Sequence, residues 1–423
     1  MTTFQITQLT EEHLPRLVYL MSKAYPGLKI ITEKDREFRV ELHRNMMRNA
    51  DDVHYFGYFR DDELLGGYAL FDFVMTLFDQ PITVGGIGMV CVDLLHKKEQ
   101  IAKEMLSHYL HHYREQGVQI AALYPFRPDF YKKMGFGYGT KNNQYRIKPA
   151  NLPKGPSKAN VRELSKDHLS EITDCYHRYV EKTHGMMRRN KVSAESLFKM
   201  EQRNFIGVYQ DGVLRGYLWY VFENIDPTHN TMRNNIIVEQ MIYENPAALS
   251  EMLTFLHSQA DQIETVVFST QDENFHYLLS DPRDGSDKLI PFISHQSNTA
   301  GVGLMYRVLD IKGLFETLSR RGHDFGGQTL RVLLTVRDSF LPENDGQVTL
   351  DVQQGQVQVA AQDSEYDVEL RLDIADLSSL VMGAVDLKSL VRLGVASLSD
   401  DAHLGAVHKM FRVDQKPMCL TAF

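Results

Sequence analysis

The hydrophobic pattern of the first 150 residues predicts helices and strands in alternation. The predicted elements are, in chain order, a helix at 11–25 begun by Thr10, strands at 53–59 and 64–73 around the polar turn 60–63, a strand at 85–92, an amphipathic helix at 98–116, a buried strand at 119–123, a short helix at 128–134 and a glycine-rich turn at 135–139 before a last strand. Such an order is typical of a mixed α/β sheet.

A stretch rich in proline, glycine and serine at residues 149–158 predicts a linker to a second segment with the same hairpin pattern. Residues 57–66 align with residues 207–216 at an offset of 150 (207 − 57), and Gly, Asp, Leu and Gly coincide at four positions. A helix at 247–259 and a strand at 265–269 then follow in the matching order. Hairpins of this shape are common, so chance similarity stays open, but the shared downstream order favours a duplicated fold.

A third segment begins near residue 298. Its predicted elements are a strand at 302–309, a helix at 311–321, strands at 330–337, 347–352, 356–360 and 368–372, and helices at 374–382, 387–393 and 402–411. The predicted fold class is therefore α/β with mixed sheets. The predicted domains are residues 1–150, 151–297 and 298–423.

Composition narrows the class of protein. The 423 residues are 43% hydrophobic and 24% charged, which is typical of a globular chain with several domains. Lys and Arg number 46 against 55 Asp and Glu, and this net charge of −9 argues against a nucleic-acid or anionic-membrane partner. No apolar run approaches the ~20 residues of a membrane span. The N-terminus lacks a secretory signal pattern.

The three cysteines carry the remaining compositional information. Cys91, Cys175 and Cys419 are far apart and lack the spacing of metal ligands, so we predict no metal site. Together with the missing secretory signal, they predict a reducing, cytoplasmic setting.

The turn before the helix at 98–116 is the first chemically informative passage. Lys97 and Lys98 lie where the free N–H groups and the positive dipole end of that helix converge. Such a turn is suited to a pyrophosphate. A solvated basic turn is the alternative, and this feature alone favours that alternative.

The second informative passage is residues 123–138, where a strand leads into a short helix carrying Tyr131 and then into Gly-Phe. After a basic loop, this order resembles the GCN5-related N-acetyltransferases (GNAT), which use acetyl-coenzyme A. Their loop pattern, Arg/Gln-x-x-Gly-x-Gly/Ala, corresponds to Lys97-x-x-Gln100-x-Ala102. Glycine permits positive φ and close approach to phosphate. Gln100 in its place either donates its side-chain amide or crowds the loop.

Across all 423 residues the chain resembles the enhanced intracellular survival acetyltransferases. The stretch at 373–385 and the C-terminal stretch at 410–419, followed by the terminal Phe423, fit that family. The resemblance implies two tandem GNAT-like domains, the second a degenerate copy, followed by a sterol-carrier-protein-like α/β domain. It also implies a homo-oligomer, with a hexamer as one candidate size.

The resemblance further implies roles for individual residues. Family members acetylate amines, including those of aminoglycosides, with a tyrosine as general acid and the C-terminal carboxylate as general base. These roles carry over to Tyr131 and Phe423, and Met89 corresponds to a substrate-side position. Ala422 stands where the family often has an acidic residue, which bears on the binding of polycations. The implied cofactor-binding residues are Val90, Cys91, Val92, Lys97, Lys98, Gln100, Ile101, Ala102 and Phe126.

Acid–base chemistry fits these roles. A lysine-like amine has a reference pKa of about 10.4, so a base must remove its proton before it can attack a thioester. A terminal carboxylate, with a reference pKa of about 3.3–3.7, acts through position, partial burial or a bridging water. The N–H groups of Val90 and Cys91 are suited to polarise the thioester carbonyl, and Tyr131 to protonate the leaving sulfur. Cys91 lies mid-strand with no neighbouring histidine, which favours packing over nucleophilic catalysis.

Two functions from different classes follow. The first is an acetyl-coenzyme A-dependent N-acetyltransferase acting on primary amines of small molecules or on protein lysines. The alternative is a catalytically impaired binding protein whose C-terminal domain carries an apolar ligand. The phosphate loop discriminates between them, because only the first needs a working cofactor site.

Overall fold

The computed structural model describes residues 4–200, 202–228, 230–361 and 363–423, which divide into two compact units. Unit 1 holds the chain up to Gly139 together with Leu304–Pro417 and Thr421–Phe423. Unit 2 holds Thr140–Gly303 and Met418–Leu420. Helices and mixed sheets run through both units, which confirms the predicted α/β class. None of the helices in the described ranges is long and apolar enough to cross a membrane.

The elements follow the chain in three runs. The first run is β1 (Phe4–Gln8), α1 (Leu14–Ala24), α2 (Glu33–Asn49), β2 (Val53–Arg60), β3 (Glu63–Leu77), β4 (Gln80–Val92), α3 (Ile101–Glu115), β5 (Ile120–Leu123), α4 (Pro128–Lys132), β6 (Gly137–Tyr138) and β7 (Asn142–Ile147). The second is β8 (Val161–Leu164), α5 (Leu169–Glu181), α6 (Lys191–Ser196), β9 (Asn204–Gln210), β10 (Val213–Asn224), β11 (Asn234–Tyr243), α7 (Pro246–His257), β12 (Ile263–Thr270), β13 (Leu289–Ile290), β14 (Ser294–His295) and β15 (Asn298–Gly301). The third is β16 (Met305–Val308), α8 (Ile311–Arg320), β17 (Leu330–Arg337), β18 (Gly346–Gln353), β19 (Gln356–Val359), β20 (Val368–Asp373), α9 (Ile374–Val381), α10 (Leu387–Arg392), β21 (Ala396–Leu398) and α11 (Leu404–Met410).

The first sheet of unit 1 has the order β1-β2-β3-β4-β5-β16-β6. β4 and β5 are parallel, whereas β16 is antiparallel to both β5 and β6. The sheet is therefore completed by a strand that enters far later in the chain. The three-domain division with boundaries at 150 and 297 stays a prediction, to which the pairing adds that β7 lies in the second sheet and β16 in the first.

Two helices cover opposite faces of this first sheet. Gly66 and Gly67 are neighbours on β3, so their missing side chains would point to opposite faces. A Cβ at Gly66 would meet Ile101 of α3 at 3.1 Å, and one at Gly67 would clash with Leu17 of α1. The glycine pair thus lets α1 and α3 approach the strand closely from its two sides.

A second sheet in unit 1, of order β19-β18-β17-β20-β21, is formed by the C-terminal part of the chain. β17 and β20 are parallel, and the remaining pairs are antiparallel. Helix α9, which follows β20 directly, packs against β16 and β6 of the first sheet. The Ser379 hydroxyl on α9 donates to the Tyr138 carbonyl at 2.9 Å. Helix α9, which directly follows a strand of the second sheet, is therefore hydrogen-bonded to the first sheet.

Unit 2 has a sheet of order β15-β7-β12-β11-β10-β9-β8 that repeats the hairpin of the first. The β2–β3 ladder shifts register around Leu65, and the β9–β10 ladder shifts around Arg215, at the same offset of 150 (215 − 65). A Cβ at Gly57 would meet Leu64 at 2.5 Å, as one at Gly207 would meet its own hairpin leucine at 2.5 Å. The likeness of the two segments therefore extends from sequence to packing.

An ion pair recurs at matching places in the two units. In unit 1, Arg16 donates to the Leu64 carbonyl at 3.2 Å and to the Asp93 carboxylate at 2.8 Å. In unit 2, Arg178 donates to the Leu214 carbonyl at 2.7 Å and to a Glu244 carboxylate oxygen at 2.8 Å. Each arginine thus ties the first helix of its copy to the hairpin and to the residues after the central strand.

Helix α2 is the largest element that sequence analysis missed. Its 17 residues are mostly charged, and His43 is its one fully buried residue, so no apolar stripe signals a helix. The capping box between Thr32 and Asp35 was the available signal. Elsewhere the predicted elements are present with ends shifted by a few residues, and β3 and β4 extend further than predicted.

A buried ion pair joins β16 to the C-terminal part of unit 1. Arg307 on β16 donates to the Asp338 carboxylate at 2.6 Å, and both side chains are 0% exposed. The same guanidinium donates to the Met134 carbonyl, beside the turn at Gly135. A Cβ at Gly135, where φ is +82°, would clash with the Arg307 guanidinium, so glycine is required there.

We expect Asp338→Asn to destabilise unit 1 by about 3–5 kcal/mol, because it leaves a buried arginine without its counter-charge. Amide hydrogen exchange of β5 and β16 measures the loss directly. Glu264→Gln, which breaks the exposed pair with Arg233, is the matched control and should leave exchange unchanged. Equal protection in the two variants would contradict a structural role for the buried pair.

Candidate active site

A gap opens in the first sheet where β4 and β5 stop pairing. Their parallel ladder ends at Ile87 and Leu123. Just beyond, Met89 and Val90 together oppose a single residue of β3, which is a β-bulge, and the φ of Met89 is +55°. The two strands therefore diverge, and the backbone between them is turned toward the gap.

The gap leads into a cleft of about 460 Å³, a volume typical of small-molecule sites. Its lining residues are Ala24, Tyr25, Val90, Val92, His96, Lys97, Lys98, Gln100, Ile101, Ala102, Lys103, Phe126, Arg127, Phe130 and Tyr131. Nine of the twelve site residues predicted from sequence are among them. The other three, Met89, Cys91 and Phe423, lie outside this lining.

The loop before α3 has a backbone suited to an anion. Lys98 and Gln100 have φ values of +68° and +66°, with Glu99 between them in the ordinary region. Such alternation turns successive N–H groups toward one side. Gln100 is the N-cap of α3 and makes no side-chain capping bond, so the first N–H groups of the helix have no partner within it. The loop therefore presents unpaired N–H groups of the kind that bind anions.

Gln100 occupies the left-handed conformation that the glycine of the family pattern would adopt. Its side chain is exposed, and the loop keeps the shape required of a phosphate site. An L-residue in this region carries about 1 kcal/mol of strain relative to glycine. The substitution therefore strains the loop without closing it.

The charges of this loop leave its two lysines available. Glu99 pairs with Arg60 at 2.6 Å and with His96 at 3.1 Å, and these hydrogen bonds hold the pKa of the Glu99 carboxyl below its ordinary value. Within the described ranges, neither Lys97 nor Lys98 has an ion-pair partner, and both side chains are exposed. Two positive charges thus stand at the mouth of the cleft.

Tyr131 lies on α4 at the opposite wall of the cleft. The side chain is 6% exposed, and burial raises the pKa of its phenol to about 12. No hydrogen bond links its hydroxyl to any other described residue. At neutral pH this hydroxyl therefore carries a proton that is free to be donated into the cleft.

Cys91 and Tyr25 each make a hydrogen bond that holds β4 in place near its bulge. The Cys91 thiol is buried on the far side of β4, donates to the Gly67 carbonyl at 3.4 Å, and has its pKa raised by burial to about 12. Tyr25 donates to the Val90 carbonyl at 2.7 Å. A protonated, buried thiol is a packing group, whereas Tyr25 holds the bulged strand in place.

Six lining residues were not predicted from the sequence, among them Tyr25, Phe130 and Lys103. Tyr25 follows the end of α1, and its partner on β4 lies 65 residues further along the chain (90 − 25). No local pattern signals such a contact. Phe130 is adjacent to Tyr131 on a short helix, and that proximity was an available signal.

The C-terminus lies against the same strand. A Cβ built on Gly88 would be 2.8 Å from the carboxyl carbon of Phe423. The Phe423 ring packs among Phe71, Phe73 and Tyr124, with ring centroids 4.8–5.7 Å apart. The Tyr124 hydroxyl donates to the Thr421 carbonyl at 3.2 Å. The terminal carboxylate is therefore brought beside Gly88, which directly precedes the bulge.

Within the described residues, no group of three or more His, Cys, Asp and Glu side chains could hold a metal ion. None of the three cysteines forms a disulfide, and all three are buried.

Comparison with known families gives this site its class. A family model described as an acetyltransferase (GNAT) domain matches residues 5–139, and a second model with the same description matches residues 180–308. A sterol carrier protein domain model matches residues 316–420. The predicted order of two acetyltransferase domains and a sterol-carrier-like domain is confirmed.

Individual relatives agree with these matches. An uncharacterized N-acetyltransferase of Streptomyces griseus is 23% identical over 374 residues, covering 82% of this chain and 85% of the relative. A GCN5-related N-acetyltransferase from Anabaena variabilis has a similar structure, with a TM-score of 0.80 at 18% identity and full coverage of both chains. Eis1 from Mycobacterium abscessus gives a TM-score of 0.77 at 17% identity, again over both full chains.

The chain carries two GNAT domains and a sterol carrier protein domain, and it is an N-acetyltransferase. In fold it matches Eis1 over its whole length, as its resemblance to the enhanced intracellular survival acetyltransferases predicted. Of its two acetyltransferase domains, the first contains the cleft described above.

We expect Lys97→Ala and Lys98→Ala each to weaken acetyl-coenzyme A binding about tenfold, because each removes a charge-assisted contact with phosphate. Calorimetric titration with the cofactor measures the change. Lys133→Ala, an exposed lysine just after α4 and outside the cleft, is the matched control. Wild-type affinity in both loop variants would show that the phosphate lies elsewhere.

Proposed function

We propose that the protein transfers the acetyl group of acetyl-coenzyme A directly to a primary amine, on a small molecule or on a protein lysine. The cofactor would be held by the loop and the opened strand, through Lys97, Lys98 and the N–H groups that begin α3. The amine would approach from the side of Met89. The single observation that carries this proposal is the position of the terminal carboxyl carbon beside Gly88.

The roles of the residues follow from their surroundings. Acetyl-coenzyme A, when bound, supplies the acetyl group as a thioester. The carboxylate of Phe423 takes the proton of the attacking amine, either directly or through a water. The backbone N–H groups of Val90 and Cys91 polarise the thioester carbonyl. Tyr131 donates its proton toward the leaving sulfur.

Burial changes the energetics of the last step. The phenol of Tyr131 has a pKa of about 12, above the ordinary value of tyrosine. A thiol has a reference pKa of about 8.5, so proton donation by a buried phenol would be unfavourable if the sulfur were in water. The same desolvation raises the basicity of a sulfur in the cleft. A protonated Tyr131 is therefore matched to a leaving group in the same environment.

The aromatic surroundings of the carboxylate bear on the substrate. Phe71, Phe73 and Tyr124 pack around Phe423, and Ala422 beside it contributes no charge. An aromatic wall favours an amine with an apolar body or a single cation over a polycation. We therefore place monoamines and lysine side chains ahead of aminoglycosides as substrates.

The setting of the enzyme is also a proposal. Three buried cysteines that form no disulfide support a reducing cytoplasm. The family resemblance suggests a homo-oligomer, with a hexamer as one candidate.

Tyr131→Phe should lower kcat by about 10²–10⁴ while leaving the fold intact, because it removes only the donated proton. Since burial holds the phenol pKa near 12, the wild-type kcat should not fall between pH 8 and about 10 through loss of this acid. Steady-state rates across pH measure both effects. Tyr138→Phe, half-buried and outside the cleft, is the control. An unchanged kcat would remove Tyr131 from the mechanism.

Converting the terminal carboxylate of Phe423 to an amide tests the proposed base. We expect kcat at pH 7 to fall sharply while acetyl-coenzyme A still binds, because the lost charge faces the amine. The loss should shrink at high pH, where the amine deprotonates unaided.

The control for this experiment is a protein joined by the same ligation but ending in the native carboxylate. Wild-type turnover by the amide at neutral pH would contradict the assignment. A protein that binds no acetyl-coenzyme A at all would instead support the alternative, an apolar-ligand-binding protein.

A further inference from the structure

The second GNAT domain repeats the opened strands of the first. Its parallel β11–β12 ladder ends at Val238 and Phe268, as the β4–β5 ladder ends in the first copy. A bulge at Glu239 follows directly, because Trp219 pairs with Gln240 and the next residue of β10 pairs with Val238. The second copy therefore has the same divergence of strands that forms the cofactor cleft in the first.

Three residues of the C-terminal tail lie in this second opening. The Cys419 N–H donates to the Gln271 side-chain oxygen at 2.6 Å, just past the end of β12. The Gln240 side-chain amide on β11 donates to the Leu420 carbonyl at 3.3 Å. The Met418 N–H donates to the His184 carbonyl at 2.8 Å. The tail backbone is thus hydrogen-bonded to one side chain on β11 and to another just past the end of β12.

Side chains of the same three residues complete the contact. Met418 and Leu420 pack against an apolar cluster of unit 2, and Cys419 is 5% exposed. Gln240 and Gln271 are 4% and 8% exposed. A buried amide side chain that loses its hydrogen-bond partner destabilises the fold. The two glutamines therefore favour the position in which the tail supplies their partners.

The next three residues carry the terminal carboxylate. Thr421–Phe423 belong to unit 1, where Tyr124 and the aromatic rings hold them. Three residues span at most about 10–11 Å, so fixing Leu420 limits the positions that Phe423 can reach.

We propose that Gln240 and Gln271 are positioning residues for the catalytic carboxylate. In the second GNAT domain, the opening between β11 and β12 binds no cofactor. It acts instead as a clamp that holds the C-terminal tail. This inference rests on the proposed role of Phe423 as base. It assigns to the duplicated domain a function in the reaction of the first.

Substitutions at the two glutamines test their hydrogen-bonding roles separately. Gln240 donates to the tail and accepts from Tyr217 at 3.0 Å and from Arg189 at 3.5 Å. Gln240→Glu keeps the acceptor oxygen and replaces the donor to Leu420 with a charged acceptor. Gln271 accepts from Cys419, so Gln271→Met removes the acceptor, and Gln271→Glu restores one. The exposed Gln262→Glu is the matched control for added charge.

The first readout is independent of catalysis. Release of Phe423 by a carboxypeptidase, followed by mass spectrometry, should quicken about tenfold in Gln240→Glu and Gln271→Met, and return toward the wild-type rate in Gln271→Glu. Release at the wild-type rate in both impaired variants would overturn the clamp, whatever the outcome of the carboxylate experiment.

The second readout is kinetic. In both impaired variants kcat should fall about tenfold, with the KM for acetyl-coenzyme A changed less than about twofold, and Gln271→Glu should recover. In the C-terminally amidated protein the same substitutions should lower kcat no further, because they act through a group already removed.

Further loss of kcat in the amidated protein would show an effect unrelated to the carboxylate and would overturn the positioning role. Faster release of Phe423 together with an unchanged kcat would also overturn the positioning role. An amidated protein with full activity would fail the proposed base itself, while the carboxypeptidase rates would still decide whether the clamp exists.

Discussion

In each acetyltransferase domain, two parallel strands stop exchanging hydrogen bonds partway along the sheet. The cleft of the first domain and the binding of the C-terminal tail by the second both depend on this divergence. Backbone N–H and C=O groups that leave a ladder need new partners. In the first domain, beyond Ile87 and Leu123, they face a cleft that α3 and α4 complete. In the second, beyond Val238 and Phe268, the side chains of β11 and the end of β12 bind the chain's own tail.

Charge and burial divide the first cleft into two functional ends. Lys97 and Lys98 are exposed at its mouth. Solvent screens their interactions with other charges of the protein, so both can bind a polyanion. Tyr131 is buried at the other wall, where desolvation keeps its proton in place. A site with cations at its entrance and a protonated phenol inside is suited to a negatively charged carrier that releases an anionic sulfur.

The third segment of the chain, from β16 to Phe423, supports the site of the first domain through the position of its residues. Strand β16 completes the first sheet, and the buried Arg307 links it to Asp338 and to the carbonyl of Met134. Met134 lies three residues after Tyr131 in the chain, so the Arg307–Asp338 ion pair supports the turn that follows the proposed acid. The last residue, Phe423, then places its carboxyl carbon beside β4. Residues from both ends of the chain therefore meet on one sheet.

The sequence by itself determined the features that have a local pattern. Alternation and amphipathicity located most strands and helices, the repeated hairpin marked the duplication, and the basic turn before α3 marked the loop. It did not reveal α2, which lacks an apolar stripe, or Tyr25, whose partner lies 65 residues away (90 − 25). Only the tertiary structure decided that β16 joins the first sheet and that residues 418–420 fill the second strand opening. Such contacts are set by the complementarity of distant backbone groups, and no period or spacing in a single sequence encodes them.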